Sequence, residues 1–353
     1  MEQRAIDFLR RLLDAPGPSG YERIPARIWR EEASSFATEV TCDVTGNSYA
    51  RVGTPGGPKV LIAGHTDEIG FLVTHIDEEG FLWFQPVGGW DDQVVVGQRL
   101  RIAGRSGDVI GVIGKKAAHL LRKEDRDRPT EIRDMWIDIG ATDRDHARAR
   151  VEVGDPAVID ASFVQLTDDL IVSRSVDNRS GAFVALETAR LLAADPPAAE
   201  VYAVATTQEE TSFTGALTAS FSIQPLVAIA VDVTHTTDYP GADKKTNGEV
   251  RLGGGPVLTR GASANPIVYE GLRAAAERLG LDCPVQGAPR HSGTDADAMI
   301  RSGVGMATGI VSIPNRYMHS PNEVASLTDL ENAAKLLAEF IRTITPDSDF
   351  RPT

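Results

Sequence analysis

"KVLIAGH", residues 59–65, carries an apolar or small residue at every position between its lysine and its histidine. A strand with one face in water alternates polar and apolar side chains. A short continuous run leaves no wet face and reads as a strand covered on both sides. The pattern returns in "VYAVATT" (201–207), "LVAIAVDV" (226–233) and "MATGIVSI" (306–313). Helical spacing occupies stretches between or after these runs, at 178–194, 264–279, 295–302 and 328–345. Two amphipathic helices, 3–14 and 22–34, open the chain on either side of the breaker "PGPSG". Strands alternating with helices predict an α/β fold, a sheet with helices on both faces. Residues 72–162 have another texture, dense in Val, Ile and Gly ("VVVGQRLRIAG", "GDVIGVIG", "VEVGDPAVID"), with a helical hint only at 142–150. Turns recur there about every eight to twelve residues, the mark of a small β-barrel or sandwich. The expected organisation is an α/β domain built from 1–71 and 163–353, interrupted by an inserted all-β domain at 72–162.

The bulk properties agree and remove several functions. At 353 residues the chain exceeds the roughly 250–300 at which single cores stop growing, so a second, smaller unit is expected. A formal net charge of −14 and the absence of a continuous basic face argue against a nucleic-acid partner. The stretch "RKEDRDRPTEIRD" (122–134) alternates signs and reads as a solvated loop. The two cysteines, Cys42 and Cys283, lie far apart without metal-ligand spacing, which suits a reducing cytoplasm. No run of about 18 apolar residues suggests a membrane span, and the N-terminus lacks the apolar stretch of a signal peptide.

Each candidate central strand ends in residues that bind cations. "KVLIAGH" runs into His65 and Asp67, "VYAVATT" into Gln208, Glu209 and Glu210, "LVAIAVDV" contains Asp232, and "MATGIVSI" is followed by "PNRYMHSP" with His319. Asp177 in "SRSVDNRSG" sits just before a helix. Ligands of open α/β sheets collect beyond the carboxyl ends of the strands. Two His with several carboxylates suit Zn²⁺, Co²⁺ or Mn²⁺ better than Ca²⁺. Each piece alone has a plainer reading: a surface histidine beside an acid, a solvated turn at 209–210, a helix N-cap at Asp177. Coincidence at four strand ends is what lends them weight. Adjacent acids in an extended segment point to opposite sides, so Glu209 and Glu210 are expected to face different partners. His75, His119, His146, His235 and His291 lack this clustering. Arg174, Arg290 and Arg316 are candidates for charged substrate contacts.

In order, "AGHTDEIG", "SVDNRSG", "TTQEE", "VDVTHTTDYPG", "GGGPVLTRG", "GTDADA" and "RYMHSPNE" resemble the M42 family of metalloaminopeptidases over essentially the whole chain. The resemblance implies a zinc-peptidase-like mixed sheet flanked by helices, with the insertion acting as a dimerisation domain. It implies two divalent ions per chain, with Asp177 bridging, His65 and Asp232 completing one site, and Glu210 and His319 the other. Glu209 would be the general base, and Asp67 would hold His65 by its ring N–H. It further implies a cis peptide bond between Asp177 and Asn178. Short peptides are the implied substrates, cleaved at the N-terminus by a metal-activated water, and dimers combining into a tetrahedral dodecamer are the implied assembly. One local departure is "TSFTGA" after the two glutamates, where relatives commonly continue with an apolar, glycine-containing stretch. An endoglucanase-like glycoside hydrolase is the first alternative, but it needs two carboxyl groups about 5–9.5 Å apart and has no use for histidine ligands. A catalytically inactive metal-binding scaffold is the second, and it leaves Glu209 without a purpose.

Overall fold

The structure, a computed structural model, describes residues 1–120 and 128–352. The solvated-loop expectation for 122–134 therefore lies, over 122–127, outside the described residues. Strands in chain order are β1 (Glu39–Cys42), β2 (Ser48–Gly53), β3 (Lys59–His65), β4 (Gly70–Ile76), β5 (Leu82–Val87), β6 (Arg99–Gly104), β7 (Gly107–Lys115), β8 (Met135–Asp138) and β9 (Pro156–Ile159). They continue as β10 (Val164–Gln165), β11 (Leu170–Ser173), β12 (Glu200–Thr206), β13 (Val227–His235), β14 (Val257–Gly261), β15 (Val285–Ala288), β16 (Ala307–Asn315) and β17 (Glu323–Ser326). The helices are α1 (Gln3–Asp14), α2 (Arg23–Ala33), α3 (Asp92–Val95), α4 (Arg144–Arg148), α5 (Val176–Ala194) and α6 (Glu209–Ser212). After them come α7 (Thr214–Ile223), α8 (Lys244–Asn247), α9 (Pro266–Leu279), α10 (Ala296–Met299) and α11 (Leu327–Arg342).

The main sheet has the order β1-β2-β12-β3-β13-β16-β14-β15. Its middle four strands are the four continuous apolar runs, all parallel to one another. Antiparallel β2 and β14 flank them and make the sheet mixed. One face of the sheet carries Val60, Ile62, Val201 and Ile229 under α1, α5, α9 and α11; the other carries Leu61, Ala63, Ala228 and Ala230 under α7 and α10. Both faces are dry, which is why the runs show no polar alternation. The helix α1 buries Phe8, Leu9, Leu12 and Leu13 on one stripe. In α5, Gly181 lies against Gly64 of β3: a Cβ on Gly64 would stand 2.2 Å from the Gly181 carbonyl carbon. That approach brings the start of α5 onto the end of β3.

Strands β4-β5-β8-β7-β6-β9 close into a barrel with its own core of Phe71, Phe84, Leu100, Ile102 and Ile137. Along β7, buried Val109 and Ile113 alternate with outward Ile110 and Val112. A third sheet, β10-β11-β17, joins the segment after the barrel to the region of His319.

Candidate metal centre

Register places the strand ends level. His65 of β3 stands opposite Thr206 of β12, and Ala63 opposite Ala230 of β13, so the chain leaves three strands at one edge. His65 projects into that edge and is buried, its Nε2 3.3 Å from Asp177 Oδ1, 3.5 Å from Glu209 Oε2 and 4.0 Å from Asp232 Oδ1. The other oxygen of Asp177, Oδ2, is 3.3 Å from His319 Nε2, which also lies 3.5 Å from Glu210 Oε2. One carboxylate thus faces a histidine on each side. Donor atoms of His65, Asp177 and Glu210, and of His65, Glu209 and Asp232, form two groups in which all atoms lie within 4.8 Å of one another.

The expectation that Glu209 and Glu210 lie in an extended segment is corrected. Gln208 takes φ 56°, turning the chain out of β12 directly into the helical turn α6. Asp67 accounts for the turn: its Oδ1 accepts the Glu209 N–H at 3.2 Å and its Oδ2 the Glu210 N–H at 3.1 Å. Asp67 also sits 3.3 Å from His65 Nδ1, whose ring nitrogen is 3.2 Å from the Asp67 carbonyl. Asp67 therefore orients the histidine and both glutamates. Left-handed φ also occurs at Ser175, Tyr317 and His319, conformations that cost about 1–3 kcal/mol each and gather at functional sites. The Asp177–Asn178 bond is cis.

The electrostatics are those of a buried, acid-rich cluster. Burial, with Asp232, Asp295 and Glu210 nearby, pushes the Glu209 carboxyl up to about 11 against the pull of His65. Burial and Asp177 push Glu210 up to about 8. Asp232 is likewise raised, by burial first and then Asp177. Burial works the same way on Asp177, but hydrogen bonds from His319 and His65 outweigh it and hold that carboxyl below its usual range. Burial disfavours protonated His319, yet its contacts with Asp177 and Glu210 raise it to about 9. Glu210 Oε1 and Asp295 Oδ1 are buried with no hydrogen-bond partner among the described residues. A buried carboxylate oxygen without a donor is a place for a cation, so the residues present fit divalent ions.

Four further residues reach the site. Glu323 accepts the N–H of Asp177 through Oε2 and of His319 through Oε1, both at 2.9 Å, tying the two histidine-facing elements together. Asp295 accepts from Thr206 Oγ1 at 2.6 Å. Gly88 and Gly89, between β5 and α3 of the barrel, bring bare backbone to the site: a Cβ on either would lie 3.2 Å from Glu210 Oε2 or His319 Nδ1 respectively. Asp295 lies in "GTDADA" and Glu323 closes "RYMHSPNE", both stretches that carry the family resemblance, whereas Gly88 and Gly89 lie in none of them. Of the arginines considered for substrate contacts, Arg174 is buried and spent on Glu68 and the Asp14 carbonyl, and Arg316 pairs with Asp238 at 2.6 Å, while Arg290 lies exposed.

The model of the family described as M42 glutamyl aminopeptidase matches residues 46–336. A lysyl aminopeptidase of Pyrococcus furiosus is 34% identical over 350 residues, covering 98% of this chain and 99% of the relative. A TET aminopeptidase from a marine sediment archaeon of the Thaumarchaeota superposes with a TM-score of 0.93 at 33% identity, over 97% of both chains. A Pyrococcus horikoshii TET1 peptidase, described as assembling into a tetrahedron or a large octahedral shell, superposes with a TM-score of 0.86 at 30% identity, over 96% of this chain and 100% of that one. With this match on top of the strand-end cluster, the chain belongs to the M42 glutamyl aminopeptidase family and is a peptide-bond hydrolase.

Proposed function

We propose that the chain is a dinuclear metal-dependent aminopeptidase that removes N-terminal residues from short peptides. The observation that carries this reading is Asp177, with one oxygen 3.3 Å from His65 and the other 3.3 Å from His319. His65 and Asp232 would hold one ion with Asp177, and Glu210 and His319 the other. Two divalent ions held there, Zn²⁺ or Co²⁺ by this mixture of imidazole and carboxylate donors, would supply Lewis acidity for the scissile carbonyl and the peptide's neutral α-amino group and a water of lowered pKa. With the charge of the ions offsetting the carboxylates that raise it, Glu209 would be ionised, take the proton of the attacking water and return it to the leaving amine nitrogen. Asp67 keeps the His65 ring and the Glu209 backbone in place for that transfer. Burial of the cluster keeps bulk water from the proton path.

We further propose that 1–71 and 163–353 form the catalytic unit and that the barrel region 72–162 serves self-association, giving dimers and a tetrahedral dodecamer. The assembly of the TET1 relative supports this. Among the described residues no helix is long and apolar enough to cross a membrane, and a cytoplasmic setting suits the two unpaired cysteines. The test is metal analysis combined with peptide kinetics. Two ions per active chain and no turnover of N-acetylated peptides are expected. One ion or none in fully active protein refutes the dinuclear assignment, and equal turnover of blocked peptides refutes the aminopeptidase one.

A further inference from the structure

The far half of the main sheet leaves a cavity of about 240 Å³ on the face of β13 that carries Asp232. Ser312, the register partner of Asp232, lines it, and Thr234, two residues beyond Asp232, shares that face. Thr294, which also lines it, precedes Asp295, a carboxyl near enough to act on Glu209. None of the candidate ligands lines the cavity itself, but Val233, Ser312 and Thr294 are chain or register neighbours of Asp232 and Asp295, which sets it beside the cluster. Its volume is below the roughly 300–1,000 Å³ of pockets that take whole ligands. It exceeds the about 150 Å³ that admits benzene. That is room for one amino-acid side chain.

Its chemistry is neutral. Thr234 Oγ1 donates to Gln286 Oε1 at 2.8 Å and Gln286 Nε2 donates to the Asn247 carbonyl at 2.9 Å, so the Gln286 amide is fixed at both ends. The hydroxyls of Ser312 and Thr259 make no hydrogen bond among the described residues and are free to meet a guest. Ile310 supplies an apolar wall. Among the described residues no Asp, Glu, Lys or Arg lines the cavity, and His291 is its one titratable group. A charged side chain entering here loses water and finds no counter-charge, a penalty that a neutral one avoids.

We propose that this cavity receives the side chain of the substrate's first residue and selects neutral side chains over those of Lys, Arg, Asp and Glu. The inference rests on the aminopeptidase reading and names its substrate class. It is tested with metal-reconstituted protein on leucyl, methionyl, glutaminyl, lysyl and glutamyl anilides, with calorimetric binding of free leucine and lysine as a readout independent of turnover. Neutral anilides should exceed the lysyl and glutamyl ones in kcat/KM by about ten-fold or more, and leucine should bind more tightly than lysine. Gln286→Glu and Thr259→Asp each set a carboxylate in the cavity, and either should raise the lysyl-to-leucyl ratio by about ten-fold. Two independent sites guard against one variant failing to fold. Wild-type preference for a lysyl or glutamyl substrate, or ratios unmoved in folded variants that still cleave, overturns the inference alone. If no anilide is cleaved by metal-loaded protein, the aminopeptidase reading falls and the inference with it.

Discussion

Glu209 and Glu210 are neighbours in sequence that meet different histidines, His65 and His319, each at 3.5 Å. Their substitutions should separate. Glu209→Gln keeps shape but accepts no proton, so two ions should still bind while kcat falls roughly 10²–10⁴-fold or more. Glu210→Gln removes an anion from one ion site, and its activity should partly return at high metal concentration. Rescue of Glu209→Gln by excess metal, with Glu210→Gln left inactive, would reverse the two roles. Asp67→Asn can no longer accept both glutamate N–H groups and orient His65, so metal affinity should drop about 10–100-fold, the usual effect of losing a group that orients a ligand. A metal titration unchanged in Asp67→Asn would remove that role. The strand-end ligands were legible because each follows an apolar run. Glu323 closes the stretch "RYMHSPNE" but follows no apolar run, so its role was not legible; only the fold brings its two oxygens to the N–H groups of Asp177 and His319.

Elements set these residues in place through close backbone packing. A Cβ on Gly181 would stand 2.4 Å from the Val231 carbonyl oxygen and from Asn178 Oδ1, so α5 lies on β13 with no room for a methyl group. Gly181→Ala should push α5 off the sheet and shift Asp177 with it. Overpacking typically costs about 1–3 kcal/mol. A lowered Tm together with fewer than two bound ions per chain is the expected result, and normal occupancy at normal Tm would show that the sheet gives way freely. Central strands were readable from composition because burial on both faces leaves only apolar residues. The outer strands β1 and β15 are largely exposed and carry no such run, so pairing partners rather than local sequence define them. The expected helix at 295–302 shrinks to Ala296–Met299, with Ser302, Gly303 and Gly305 soon after it.

At the scale of the whole molecule, the barrel poses the question of what it is for. It is closed, which hides most of its strand edges although β5 meets β8 only at Leu82 and Ile137, so outward side chains are its main means of association. Strand β7 turns Ile110 and Val112 outward at 50% and 44% exposure, beside their register partners Arg101 and Arg99 on β6. Apolar pairs rimmed by charge are the composition of an interface. If the barrel serves self-association, the particle mass in light scattering should be a multiple of the 37.9 kDa chain, in a closed symmetric number. Ile110→Glu with Val112→Glu should lower that mass. Both side chains point away from the barrel core of Val109 and Ile113, so the barrel should remain folded in the double variant, with metal content unchanged. Wild-type protein that stays at one chain mass at every working concentration would defeat the assembly proposal, and an unchanged particle in the double variant would move the interface to another face.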